Sequence, residues 1–260
     1  LANSTTETIS EAINLFQMLE RPNVMIKVPA TEAGIPAIRD LIKEGINVNV
    51  TLIFSLDMYK QVMESYIAGL EDRANLGKDI SQIGSVASFF VSRIDTKIDP
   101  MINKTIKLGN SNSNHLLGSA AIANATLAYI AFKNTFNSSR FHKLKQKGAN
   151  VQKPLWASTG TKNDNYSDVL YVESLIGVNT VNTMPPHTLE AFVDHGKVSQ
   201  SLGVNSVQST MILEEISSLG ISMKTTTNTL LNEGLKSFTD SFNNLIGNIE
   251  RKMMALSTNP

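Results

Sequence analysis

Lys27 stands inside Val24-Met25-Ile26-Lys27-Val28-Pro29-Ala30-Thr31, a run whose neighbours favour burial on both faces of a parallel sheet. Desolvation favours the neutral, nucleophilic form of an amine, the form that adds to a ketone to make an imine. The ordinary alternative is a strand-end lysine whose ammonium reaches water, since buried charges are rare. A second run, Gly45 to Ser55 (GINVNVTLIFS), alternates so that Asn47, Asn49 and Thr51 share one face. In a barrel that face is the inner one and opens at the C-terminal mouth, where catalytic groups collect. On period alone a solvated face explains the pattern equally well, except that a parallel sheet covered by helices has none.

Two further segments suit an anion. Ala87-Ser88-Phe89-Phe90-Val91-Ser92-Arg93 places the Ser88 hydroxyl near a strand end and Arg93 one turn into the next segment. Guanidinium pairs with phosphate in a bidentate manner, and helix N-termini favour negative charge. The competing reading of Arg93 is a surface pair with Asp95 or another carboxylate. Trp156-Ala157-Ser158-Thr159-Gly160-Thr161-Lys162-Asn163 empties a strand into a Ser/Thr/Gly loop that ends in Lys162, suited to an anion and equally to a plain polar turn. Its glycine spacing matches neither a P-loop nor a dinucleotide fingerprint, so a nucleotide cofactor is not indicated.

The elements that must carry these residues are β-like runs at Asn23 to Val28, Asn47 to Ile53, Ile83 to Phe89, Pro154 to Ser158 and Thr180 to Thr183. Each is followed by a helical pattern. Glu32 to Glu44 sets Ile35, Ile38, Leu41 and Ile42 on one stripe, and Ser55 to Leu70 does the same with Leu56, Tyr59, Met63, Tyr66, Ile67 and Leu70. Ser4 to Glu20 is a capped helical pattern. Asp95 to Asn150 is a long helical crossover, buried over Ser119 to Phe132 and basic over Lys143 to Lys147. After Gly196 the strands stop, and Ser206 to Leu219 and Ser222 to Leu256 read as helices, the second interrupted near Gly234. Alternating strands and helices predict a parallel α/β sheet. Alternation alone does not separate an open doubly wound sheet from a (β/α)₈ barrel, and five strands are too few for the closed barrel.

Composition narrows the function. The 260 residues hold 23 Lys plus Arg against 23 Asp plus Glu, so no overall field favours nucleic acid or an anionic membrane, while a local phosphate site remains open. No apolar run reaches the ~18 residues of a membrane span. Cysteine is absent, which excludes disulfides and thiolate catalysis, and the four His residues form no zinc-binding pattern. The chain starts at Leu1 without an initiator Met or a signal-like segment and is expected to be an excerpt of a longer protein. One domain is expected over residues 1–260, with residues 197–260 its helical C-terminal cap; cytoplasm is the expected compartment.

Taken together, NVMIKVPAT, GINVNVTLIFS, ASFFVSRID and the tail PLWASTGTKN, YSDVLYVESLIG and TVNTMPPHTLEAFVDHG resemble the transaldolase family, in the bacterial branch with the STGTKN loop. The resemblance covers almost the whole chain and implies a (β/α)₈ barrel of the class I aldolase type, of which this chain supplies strands 4 to 8 and the C-terminal helices. It implies transfer of a dihydroxyacetone unit between ketose and aldose phosphates, such as sedoheptulose 7-phosphate and glyceraldehyde 3-phosphate, in the non-oxidative pentose phosphate pathway. No metal and no organic cofactor is implied. The partners implied are sugar phosphates, with neither nucleic acid nor membrane, and a homo-oligomer is admitted.

By the same resemblance Lys27 matches the imine-forming lysine, Asn49 the amide that binds the dihydroxyacetone hydroxyls, and Thr51 the hydroxyl that helps hold a catalytic water. Ser88 and Phe90 match walls of the site, and Arg93 and Ser158 match phosphate contacts. Relatives outside this branch carry an arginine two residues after the Ser158 position; here that residue is Gly160, and Lys162 is the candidate replacement. The family's aspartate and glutamate for proton transfer, and an asparagine of its sugar site, belong to its first three strands and would precede Leu1. Residues 1–260 alone are therefore expected to be inactive. A fructose-6-phosphate aldolase-like enzyme and a non-catalytic, sugar-phosphate-binding barrel remnant are the alternatives.

Overall fold

Ser4 opens the first helix, α1 (Thr5–Leu19), with its hydroxyl accepting from the Glu7 N–H at 3.3 Å, which satisfies one of the four donors a helix N-terminus leaves unpaired. In this computed structural model, which describes residues 2–109, 111–203 and 206–257, strands and helices then alternate. The order is β1 (Ile26–Pro29), α2 (Gly34–Glu44), β2 (Val48–Ile53), α3 (Leu56–Asn75), β3 (Ser85–Phe90) and α4 (Ser92–Lys107). A 3₁₀ segment (Ser111–Leu116), α5 (Ala120–Phe136) and α6 (Ser139–Lys145) enlarge the crossover to β4 (Lys153–Ala157). Next come α7 (Leu170–Ser174), β5 (Val181–Asn182), α8 (Pro186–His195), α9 (Ser206–Ser218) and α10 (Met223–Ser257). Leu1 and Pro260, the bounds expected for the domain, lie outside the described residues.

All five expected strands are present, and the sheet order is β1-β2-β3-β4-β5 with every pair parallel. Sequential order without reversal is barrel winding; a doubly wound sheet reverses direction at a switch point. The order is that of a (β/α)₈ barrel, of which five strands are described.

One face of the sheet packs on the helices. Val28, Val48, Val50, Ala87, Phe89 and Trp156 are buried there, and the Phe89 ring meets Tyr59 at 5.8 Å and Trp156 at 6.0 Å, both edge-on. The alanines of α5 allow it to lie close against α3, α4 and α9, while Lys143, Lys145 and Lys147 are exposed as the pattern predicts. A single core runs from Ala12 to Leu230.

One expectation is corrected here. α10 continues unbroken through Gly234, and a Cβ at that position would lie 2.8 Å from Leu52 Cδ2. The glycine marks a close approach of helix to strand rather than a helix break.

Candidate active site

The register sets the inner face of the sheet. Lys27 pairs with Asn49 and Asn49 with Val86, Pro29 pairs with Thr51, Ser88 with Leu155, and Phe90 with Ala157. Since side chains alternate along a strand, Lys27, Asn49, Thr51, Ser88 and Phe90 fall on the face opposite the helix-packed valines. Asn47 departs from the expected trio. It precedes β2 and is structural, its amide donating to the Pro22 carbonyl at 2.8 Å and accepting from the Gly84 N–H at 2.8 Å.

Across β2 and β3, Ser88 Oγ donates to Asn49 Oδ1 at 2.7 Å. That bond fixes which end of the Asn49 amide is used up and leaves its NH₂ group to donate elsewhere. Thr51 is buried, and its hydroxyl has no hydrogen-bond partner among the described residues. Such orphaned polar atoms are costly and point to a role outside packing. Lys27 is exposed, flanked by the buried Ile26 and Val28. Of the two readings of Lys27, the structure shows the one in which the amine reaches water, because its neighbours bury on the helix side while Lys27 faces the open side of the sheet. Its Nζ lies 5.8 Å from the ring centroid of Phe238 in α10.

The anion candidates gather where β3 and β4 end. The Ser92 N–H donates to the Ser158 carbonyl at 3.0 Å, and the two hydroxyls lie 3.0 Å apart. Ser158 holds φ at +57° and Leu52, at the end of β2, +60°. For residues with side chains this left-handed conformation costs about 1–3 kcal/mol and clusters at functional sites. Arg93 sits in the first turn of α4 with its guanidinium carbon 5.2 Å from the Phe90 ring centroid. No described carboxylate pairs with it, and the rival partner Asp95 is committed elsewhere. Asp95 accepts from the Ala121 N–H at 2.8 Å and from the Tyr171 hydroxyl at 2.8 Å, and burial pushes its carboxyl up to about 7.

Lys162 is not brought to this group. It is exposed and lines a cleft on the flank of α4 with Asp95, Asp99, Tyr166 and Tyr171, a cleft that neither Arg93 nor Ser158 lines. Gly160 is packed under the first turn of α8, where a Cβ would lie 3.0 Å from Pro185 Cγ and 3.2 Å from Thr188 Oγ1. A side chain at 160 would require Pro185 and Thr188 to give by a few tenths of an ångström.

Sequence reading missed Phe238. Its only signal was an apolar stripe in α10 at 238, 242, 245 and 249, which reports a face without saying what the face touches. Among the described residues no group of three His, Asp or Glu is placed to hold a metal ion, and no helix is long and apolar enough to cross a membrane.

The family model described as transaldolase/fructose-6-phosphate aldolase matches residues 1–249. A transaldolase of Mycolicibacterium smegmatis is 48% identical over 247 residues, which cover 95% of this chain and 66% of the relative. A transaldolase of Mycobacterium ulcerans is 45% identical over 99% of this chain and 69% of its own length, and transaldolase 2 of Streptomyces coelicolor is 46% identical over 99% and 68%. The chain thus spans about two thirds of the length of the curated relatives it matches. On the extent and identity of these matches, the chain belongs to the transaldolase/fructose-6-phosphate aldolase family.

Proposed function

We propose that the protein is a transaldolase that moves a dihydroxyacetone unit from a ketose phosphate to an aldose phosphate through an imine on Lys27. The observation that carries the reading is the pairing of Lys27 with Asn49 across β1 and β2, with Ser88 orienting the Asn49 amide. The Lys27 amine adds to the ketone carbon, water leaves, and a protonated imine forms. Loss of the C4 hydroxyl proton breaks the C3–C4 bond, its electron pair moves into the imine, and the aldose phosphate departs from the resulting enamine. The enamine then attacks the acceptor aldehyde, and hydrolysis releases the new ketose.

The NH₂ of Asn49 is available to donate to the dihydroxyacetone oxygens, and the unpartnered Thr51 hydroxyl is suited to hold water for the imine steps. Ser88 and Phe90 wall the site. The phosphate is gripped by Arg93, with Ser158 beside it at the strand ends; Lys162, on another cleft, is the weaker candidate. Proton transfer by an aspartate and a glutamate, which the family resemblance assigns to positions before Leu1, completes this reading. The same reading treats residues 1–260 as one domain with the helices after residue 196 as its cap, a grouping supported by the single core. It places the protein in the cytoplasm.

The test is to treat the complete protein with fructose 6-phosphate and borohydride and to map the adduct by mass spectrometry. A reduced adduct on Lys27 is expected; labelling of another lysine with Lys27 unmodified ends the assignment.

A further inference from the structure

Three contacts seat the first half of α10 over the ends of the strands. Leu230 is buried, Gly234 lies against Leu52 so closely that a Cβ would come within 2.8 Å of it, and Glu233 pairs with Lys97 of α4 at 2.6 Å. Leu230, Gly234 and Phe238 are spaced four residues apart and so share one side of the helix. The next residue on that side after Gly234 is therefore carried over β1, where the Phe238 ring stands 5.8 Å from Lys27 Nζ. Most of the large apolar residues further along, among them Phe242, Leu245 and Ile249, are exposed.

We infer that Phe238 is a positioning residue that covers the Lys27 imine and sets how its carbon intermediate is divided between transfer and release. The inference rests on the reading of Lys27 as the imine-forming residue. The imine is a cation on Nζ, and the negative face of an aromatic ring attracts a cation at this distance. After the carbon–carbon bond breaks, the neutral enamine has two fates. In transfer, its carbon bonds to the acceptor aldehyde, the new oxyanion takes a proton, and water adds to the resulting iminium carbon so that the C–N bond breaks and the new ketose leaves with the Lys27 amine restored. In release, its carbon takes a proton instead, water adds to the iminium carbon, the C–N bond breaks, and dihydroxyacetone leaves with the Lys27 amine restored. Neither route changes oxidation state or needs a co-reactant beyond water. A ring lying over Nζ restricts the access of water, and of the proton it delivers, to the neighbouring enamine carbon, the step that commits the intermediate to release, while the acceptor arrives from the side of Arg93 and Ser158.

The test compares F238A, F238L and F238Y in the complete protein with fructose 6-phosphate as donor and erythrose 4-phosphate as acceptor, measuring free dihydroxyacetone formed per transfer. Phe238 is 46% exposed and not part of the buried core; a circular-dichroism melt of each variant separates any loss of stability from the change in partition. F238A is expected to raise release per transfer by about fivefold or more, with F238L, which lacks the ring, also raised and F238Y within about twofold of the parent protein. Parental release ratios in both F238A and F238L overturn the inference, provided borohydride still traps the adduct on Lys27. Absence of that adduct in the parent protein overturns the reading of Lys27 itself, and this inference with it.

Discussion

Ser88 Oγ donates a 2.7 Å hydrogen bond to Asn49 Oδ1, so the hydroxyl of one strand decides which hydrogen-bonding group its neighbour offers to the open face of the sheet. Ser88→Ala removes the donor and leaves the amide free to turn. A neutral hydrogen bond of this kind is worth about 0.5–1.5 kcal/mol, and kcat/KM is expected to fall by about two- to tenfold. The melting temperature should change little, since no larger group is lost. An unaltered kcat/KM would show that the bond does not orient the amide used by substrate.

Arg93 and Ser158 lie at the ends of adjacent strands, joined through Ser92. Arg93→Ala is expected to weaken phosphorylated donors by about 1.5–3 kcal/mol, the worth of a charge-assisted hydrogen bond. Unphosphorylated dihydroxyacetone should be nearly unaffected. Steady-state kinetics with both donors separates this from a structural defect, which would depress the two equally.

Gly234→Val tests the seat of α10. Its Cβ would fall 2.8 Å from Leu52 Cδ2, and forcing extra atoms into a packed contact costs about 1–3 kcal/mol. Both the denaturation midpoint and turnover are expected to drop, because the shift needed at Leu52 lies beside Thr51. A variant as stable and active as the parent protein would mean that α10 is free to lift from β2.

Asp95 makes stability depend on pH. Burial, with a smaller contribution from neighbouring Asp99, raises its carboxyl from 3.8 to about 7, while the Ala121 N–H and the Tyr171 hydroxyl oppose the rise. The native state therefore holds the proton more tightly than the unfolded chain. This contribution is fully present below 3.8, is lost progressively as pH climbs to about 7, and is constant above that. Asp95→Asn has no such titration. Its stability relative to the parent protein should improve with rising pH across that window, read from denaturant midpoints; a difference that does not vary with pH would show that folding does not raise the Asp95 carboxyl.

Alternation of apolar and polar residues was enough to locate all five strands and the face that Asn49 and Thr51 share, because side-chain direction along a strand is a local property of period two. The same locality made Ser4 readable as a cap and Ser119 to Phe132 as buried. Residue pattern alone left barrel and doubly wound sheet undivided. The family resemblance carried the division, and the sequential order β1-β2-β3-β4-β5 agrees with it.

What tertiary structure alone decided are relations between residues far apart in the chain. Gly234 has one local meaning, absence of a side chain, which serves a helix break and a close approach equally; only the position of Leu52 selects the second. Lys27 sits among apolar neighbours whatever the fold, yet those neighbours bury against helices while the amine does not. Arg93 and Asp95 are two residues apart on α4, and the claims of Ala121 and Tyr171 on Asp95 leave the guanidinium without a carboxylate partner among the described residues. Phe238 reaches Lys27 because a helix crosses the strand ends at a fixed height, and no periodicity records the height at which two elements cross.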